Sequence, residues 1–413
     1  MSSAPLWRIA GPPAVAVAVV LLATAGRHGL HGDELYFRML PLAWWYDDQP
    51  PLTIWLTRLA ASTSDAVWVQ RIPAVVAAAA GSVLAALFPR LLGYGPGVQA
   101  VAAWAHAFTV YPLIHGHVFL TSTLDLLAWL LVILLVVAAI LRRPHALVWA
   151  GVVAGLACWN KLLVLVLVAA LGVGLLVGPP FALVWTRGLA WRGKRHSGVP
   201  VPVLAVAALV LVAWNLAVPA QPYYAVGLVL AALALGWGPQ RDAGTRLWRR
   251  VRTVLAANAA VSVVVALPVL PPGTAVFDAL AAINPVLRDQ TGWPDYVRQV
   301  ATAAAADAGE RTVLTSSYAL AGAVAFYGPA VGLTRVASGH NALWSLGPPG
   351  TERVLLAGPV AISHAHLFAR CEPAGELRPG GSDPFGLGGS PMARCDDPVG
   401  GWAAVWPLFR RLG

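Results

Sequence analysis

Four carboxylates, Asp33, Glu34, Asp47 and Asp48, crowd into residues 32–56, GDELYFRMLPLAWWYDDQPPLTIWL, among aromatics and a Pro-Pro pair. A positioned carboxylate can take the proton of a hydroxyl as that oxygen attacks, the work of a general base in group transfer. An acidic pair in an ordinary loop is simply solvated. Here the pair follows an apolar run and precedes Tyr36-Phe37-Arg38-Met39-Leu40, predicted to lie flat at a membrane interface. Leu52, Trp55, Leu56 and Leu59 share one face of a second amphipathic helix over 52–59. Pro50-Pro51 fixes the turn between the two. The pattern predicts a carboxylate held at headgroup depth by two horizontal helices.

Other polar residues stand out against apolar surroundings. Lys161 interrupts the run 147–178. A lysine inside a membrane segment is costly and usually functional, with snorkelling to the interface as its bland use. Arg58 and Arg71 are the alternative cations for an anionic group. His115 and His117 do not share a helical face, so they do not form a zinc pair. One of them could bond a phosphate or a sugar. Asp125, inside the start of an apolar run, needs a buried partner. Ser338-Gly339-His340-Asn341, with Trp344 close by, reads either as polar groups beside an aromatic face for a sugar or polar acceptor, or as a turn packing a domain. No GxGxxG, Walker or CxxC pattern is present, so neither a nucleotide-sugar donor nor ATP coupling is indicated.

The elements that must position these groups follow from composition. Hydrophobic residues make up 58% of the 413-residue chain and charged residues 11%, against about a quarter charged in soluble domains. This is a polytopic α-helical membrane protein. The net charge of +10 sits in short loops between apolar runs, and no nucleic-acid-binding motif accompanies it. Apolar runs cover residues 9–25, 67–88, 98–114, 118–141, 147–178, 199–219, 222–239 and 253–270. Arg8, Arg142, Arg143, Arg187, Arg192, Lys194, Arg195, Arg241, Arg246, Arg249, Arg250 and Arg252 all fall inside only if 147–178 crosses twice, hinged near Trp159-Asn160-Lys161. About nine crossings result, with a cytoplasmic N-terminus, a first external loop at 26–66 and an external C-terminal segment.

Two domains are therefore expected, a membrane module over 1–270 and a small external α/β domain over 271–413. In the latter, Arg311–Tyr318 and Arg353–Ala357 read as strands, and Asp295–Asp307, Leu320–Tyr327 and His364–Arg370 as helices. Cys371 and Cys395 both lie there, where a disulfide is allowed.

Asp33-Glu34-Leu35-Tyr36-Phe37 followed by Asp48-Gln49-Pro50-Pro51-Leu52 resembles the first external loop of GT-C glycosyltransferases, the bacterial relatives of protein O-mannosyltransferases and of the lipid A aminoarabinose transferase. His115-Gly116-His117 before Ser122-Thr123-Leu124-Asp125, and Gly155-Leu156 through Asn160-Lys161, are similar to further family elements. Ser338–Asn341 with Trp344 and Gly347-Pro348-Pro349 looks like the external domain of actinobacterial members. The resemblance implies an integral membrane transferase moving a sugar from a polyprenyl-phosphate donor to an acceptor hydroxyl of a cell-envelope glycan, lipid or protein, with inversion, on the external face. Asp33 would be the base, and Glu34 would orient the acceptor or support Asp33. Asp48 would line the acceptor cavity or bind a divalent cation, and Lys161 would meet the donor phosphate. No cofactor beyond such a cation is implied. The chain departs from the family where Asp47-Asp48-Gln49 replaces D-H before Pro-Pro, and where 178–271 is short. A non-catalytic lipid-sugar binding or transport protein is the competing class; it leaves the acidic loop and the globular tail without a purpose.

Overall fold

The computed structural model describes residues 4–141, 143–188, 200–218, 222–237, 245–306 and 309–413. Arg142, Arg192, Lys194, Arg195 and Arg241, expected on the cytoplasmic side, lie outside them. The chain opens with helices α1 (Leu6–Thr24), α2 (Gly32–Met39), α3 (Leu52–Thr63), α4 (Val67–Gln70) and α5 (Ile72–Leu91). It continues with α6 (Pro96–Ala107), α7 (Val110–His117), α8 (Thr121–Leu141), α9 (Ala146–Ala157) and α10 (Val164–Gly188). Then follow α11 (Pro200–Ala217), α12 (Val226–Gly236), α13 (Thr245–Ala266), α14 (Ala275–Ile283), α15 (Pro285–Arg288) and α16 (Trp293–Ala304). Strand β1 (Thr312–Thr315) and helix α17 (Tyr318–Tyr327) lead to β2 (Val336–Ser338), β3 (Arg353–Ala357), β4 (Phe368–Glu376) and β5 (Pro391–Pro398).

Two compact units result, Met1–Ala25 with Arg71–Leu267, and Gly26–Gln70 with Pro268–Gly413. The acidic loop thus belongs to the same unit as the C-terminal segment.

The first unit is all helix. Its core joins Trp129, Ile133 and Val137 of α8 to Phe88 of α5, Leu167 and Leu171 of α10, Leu211 of α11 and Leu228 of α12. In α9 the buried residues are Ala146, Ala150, Ala154 and Ala157, whereas Val148, Trp149 and Leu156 are exposed. Small residues inside and large apolar ones outside is the pattern of a helix whose solvent is lipid. Gly174 and Gly178 of α10 meet the Val203 backbone of α11, where a Cβ on Gly174 would lie 2.4 Å from the Val203 carbonyl oxygen. That close approach is the use of a G-x-x-x-G spacing between membrane helices. Among the described residues α1, α5 and α8 are long and apolar enough to cross a membrane, and Ala146–Ala157, Val164–Gly178, Val201–Ala217 and Val226–Gly236 are shorter apolar helices.

The run 147–178 breaks between Ala157 and Val164, around Trp159-Asn160-Lys161, at the hinge that the distribution of basic residues calls for. The run 98–114 breaks as well, which the hydropathy did not signal. Thr109 is extended (ψ 148°) between α6 and α7, and Pro112 has no N–H to continue the α6 ladder.

The second unit holds a five-stranded sheet in the order β2-β1-β3-β5-β4. β2, β1 and β3 run parallel, and β3, β5 and β4 antiparallel. Alternation along the strands divides its core. Val313, Leu355 and Ala357 face α16 and α17, whose Trp293, Val297, Leu320 and Val324 cover them. Leu314, Val354 and Leu356 face Phe368, Trp406 and Phe409. Cys371 and Cys395 stand opposite each other on β4 and β5 and form a disulfide. The segment 364–370, expected as a helix, is a short 3-10 turn at Ala365–Leu367 followed by the start of β4. Pairing with β5 decides that segment, and its own residues carry no strand alternation.

Candidate functional site

Tyr36, Phe37 and Leu40 do not lie on a surface. They pack with Ile54, Ala321, Ala342 and Leu343 in a small core of the second unit. On α3 the buried residues are Thr53, Ile54 and Thr57, so Leu52, Trp55, Leu56 and Leu59 form its outward face. Trp55 donates from its ring nitrogen to the Ala43 carbonyl at 2.8 Å and holds the preceding loop against α3.

A capping box places Asp33. His31 is the N-cap of α2, its Nδ1 accepting the Asp33 amide at 3.2 Å. The fully buried Glu34 accepts the His31 amide at 2.8 Å. Together they satisfy two otherwise unpaired N–H groups of the first turn. Glu34 is therefore built into the start of the helix. Asp33, one residue earlier on the turn, keeps 31% of its side chain exposed.

Asp33 Oδ1 accepts the hydroxyl of Tyr318, 2.8 Å away and 285 residues along the chain. One turn along α2, the Tyr36 hydroxyl donates to both carboxylate oxygens of Asp48 at 3.0 Å and accepts the Ala342 amide at 3.2 Å. The two tyrosine rings are 4.9 Å apart. Burial, then the neighbouring carboxylate, drives both phenols far above the usual tyrosine range, so each remains an O–H donor. Asp48 is exposed as a residue, yet protein crowds its carboxyl. That desolvation moves its pKa upward against the pull of the Tyr36 hydrogen bond.

Tyr318 is held from several sides. Its amide donates to His340 Nδ1 at 3.2 Å, and the His340 ring lies 5.0 Å from its own. Phe385 meets it edge-on at 5.9 Å. Phe385 has φ 57°, and its amide donates to Asp289 Oδ1 at 2.8 Å. His340 Nε2 donates to the Gly413 carbonyl at 2.6 Å, and burial lowers its pKa, in keeping with a neutral ring that donates once and accepts once. Asn341, at φ 54°, accepts the Gly413 amide on Oδ1 at 3.1 Å. Both residues are buried, so the Ser338–Asn341 loop is where the last residues are fastened. Trp344 and Trp406 exchange ring-nitrogen bonds to each other's carbonyls. Arg410 lies over the Trp344 ring at 4.7 Å and pairs with Asp47 at 3.4 Å. Arg58 donates to the Arg38 carbonyl at 2.6 Å. No carboxylate lies within ion-pair distance of Arg58 among the described residues.

The first unit gathers the remaining polar residues around the break in the 147–178 run. A recess there is lined by His115, Ser122, Asp125, Trp129, Lys161 and Tyr224. Lys161 Nζ stands 4.5 Å over the Tyr224 ring. Trp129 donates to Asp125 Oδ1 at 3.1 Å, Ser122 bonds His115 Nδ1 at 3.0 Å, and Asn160 donates to the Thr121 carbonyl at 2.7 Å. His117 is directed elsewhere, its Nε2 3.0 Å from Arg71, which also donates to the Ala25 carbonyl at 2.8 Å. Arg71 and His117 are both nearly inaccessible to solvent. Among the described residues no group of three or more His, Cys, Asp or Glu could hold a metal ion.

The sequence singled out Asp33, Asp48 and Lys161, and the structure adds Tyr318 and the second role of Tyr36. Nothing in the sequence near Tyr318 marks it, because its partner lies in the first loop.

The apolar helical module and the small sheet domain that carries the acidic first loop make up a fold with known counterparts. Two crystal structures of ArnT from Cupriavidus metallidurans share it. The apo structure is 14% identical and aligns over 92% of this chain and 96% of that one, with a TM-score of 0.56. The structure bound to undecaprenyl phosphate is 13% identical over 92% and 97%, with a TM-score of 0.50. No protein-family model and no curated protein matches the chain.

Proposed function

We propose that this protein is an integral membrane glycosyltransferase that moves a sugar from a polyprenyl-phosphate donor to an acceptor hydroxyl at the external face, with inversion. The observation that carries the reading is Asp33, a part-exposed carboxylate fixed at the first turn of α2 with one oxygen bonded to Tyr318. The fold shared with ArnT, including a form that binds undecaprenyl phosphate, supports the donor class. In the reaction the Asp33 carboxylate takes the acceptor proton as the acceptor oxygen bonds the anomeric carbon. The bond from that carbon to the phosphate oxygen breaks, and the polyprenyl phosphate leaves with the electron pair. Attack opposite the leaving group inverts the centre. Cations must meet the phosphate charge, and Lys161 and Arg58 are the candidates. The N-terminus would be cytoplasmic and the sheet domain external.

The test is sugar transfer from a polyprenyl-phosphate donor by purified protein in lipid nanodiscs. Asp33→Asn keeps size and removes the base, and turnover should fall by roughly two to four orders of magnitude with folding intact. Wild-type turnover in that variant would leave Asp33 as a loop residue and end the proposal.

A further inference from the structure

We infer that Tyr318 is a positioning residue for the reaction, orienting the Asp33 carboxylate through its hydroxyl; this rests on Asp33 being the base. Among the described residues Tyr318 is the side-chain hydrogen-bond donor to Asp33, at 2.8 Å on Oδ1. His31 cannot share that task. Its Nδ1 accepts the Asp33 amide, so that nitrogen carries no proton, and it stands 3.9 Å from Oδ2. Oδ2 is consequently the oxygen left for an incoming hydroxyl. A short carboxylate with one oxygen tied has its second lone pairs aimed, whereas an untied one samples its rotation about χ2.

Tyr318 suits this work because it is rigid. It is the first residue of α17, after the N-cap Ser317, whose hydroxyl accepts the Leu320 amide at 3.4 Å. Tyr36, His340 and Phe385 enclose its ring, and its amide is bonded to His340. An arrangement in which the supporting group is locked by its own neighbours is what keeps a base in productive geometry. A misplacement of about 1 Å can cost on the order of a hundredfold in rate.

The experiment is steady-state transfer by the full-length protein in nanodiscs. Tyr318→Phe removes only the hydroxyl and keeps every ring contact. The expected result is a kcat lowered roughly ten- to a hundredfold, with KM for donor and acceptor within about twofold and the melting temperature unmoved. Tyr296→Phe is the control. It removes a comparable tyrosine-to-carboxylate bond in the same unit, Tyr296 to Asp383 at 2.7 Å, and should leave kcat within about twofold. If Tyr318→Phe turns over at the wild-type rate while Asp33→Asn is inactive, the inference falls and the base reading stands. If kcat, KM and melting temperature change together, or if Tyr296→Phe loses as much kcat, Tyr318 only packs the domain. Transfer by Asp33→Asn at the wild-type rate would instead remove the base reading itself.

Discussion

Lys161 sits where an apolar helical run gives way, its ammonium over the Tyr224 ring and in the same recess as Asp125, His115 and Ser122. A cation in such surroundings is there for charge, since packing alone would be better served by an apolar residue. Lys161→Met keeps the stem and removes the charge. The KM for the polyprenyl-phosphate donor should rise about ten- to a hundredfold, the scale of one charge-assisted contact, with acceptor KM unchanged. Arg58→Met, assayed beside it, asks the same of a guanidinium that donates to a backbone carbonyl. Whichever variant raises donor KM alone marks the phosphate contact, and if neither does, both side chains are structural. Lys161 stands out in the sequence because one lysine in a long apolar run is conspicuous. The bond of Glu34 to the His31 amide does not show there, because an acidic residue three positions after an N-cap reads the same with that bond or without it.

At the scale of elements, α2 and α17 determine whether Asp33 and Tyr318 meet. Gly322 of α17 lies against α2 so closely that a Cβ there would be 2.7 Å from the Leu35 carbonyl carbon. In an unhindered helix Gly→Ala stabilises by roughly 0.5–1 kcal/mol. Here the obstacle is backbone, which cannot move aside, and forcing it apart costs about 1–3 kcal/mol. Gly322→Ala should therefore lower the melting temperature and reduce kcat, because it pushes the Asp33 turn away from Tyr318. A melting temperature that rises, with full kcat, would show that the two helices have room to spare. Sheet elements were unevenly readable. β3 announces itself with a continuous apolar stretch, Val354-Leu355-Leu356-Ala357, whereas β4 carries Pro373 and Gly375 and is a strand because β5 and the Cys371–Cys395 bridge hold it there.

For the whole molecule, the consequential prediction is orientation. Disulfides persist where the environment is oxidising, and the Cys371–Cys395 bridge accords with a sheet domain outside the membrane. Ala306 is exposed in that domain. With Cys158 replaced by Ala to remove the free thiol, Ala306→Cys should react with a membrane-impermeant maleimide added to intact cells. Labelling only after the cells are opened would place the domain, and with it Asp33, on the cytoplasmic side and reverse the proposed topology.

The sequence alone determined what depends on neighbours along the chain. Composition set the membrane class, the placement of the basic residues called for a break near Asn160-Lys161, and the acidic motif marked the first loop, because hydropathy, charge and short spacing are read along the chain. Only the tertiary structure decided that this loop belongs to the unit of the C-terminal segment, that Tyr36 and Phe37 are core residues, and that Asp33 is tied to Tyr318. The physical reason is distance along the chain. A hydrogen bond between residues 285 apart leaves no periodicity, spacing or composition for a sequence to carry, and it exists only once α2 and α17 have packed.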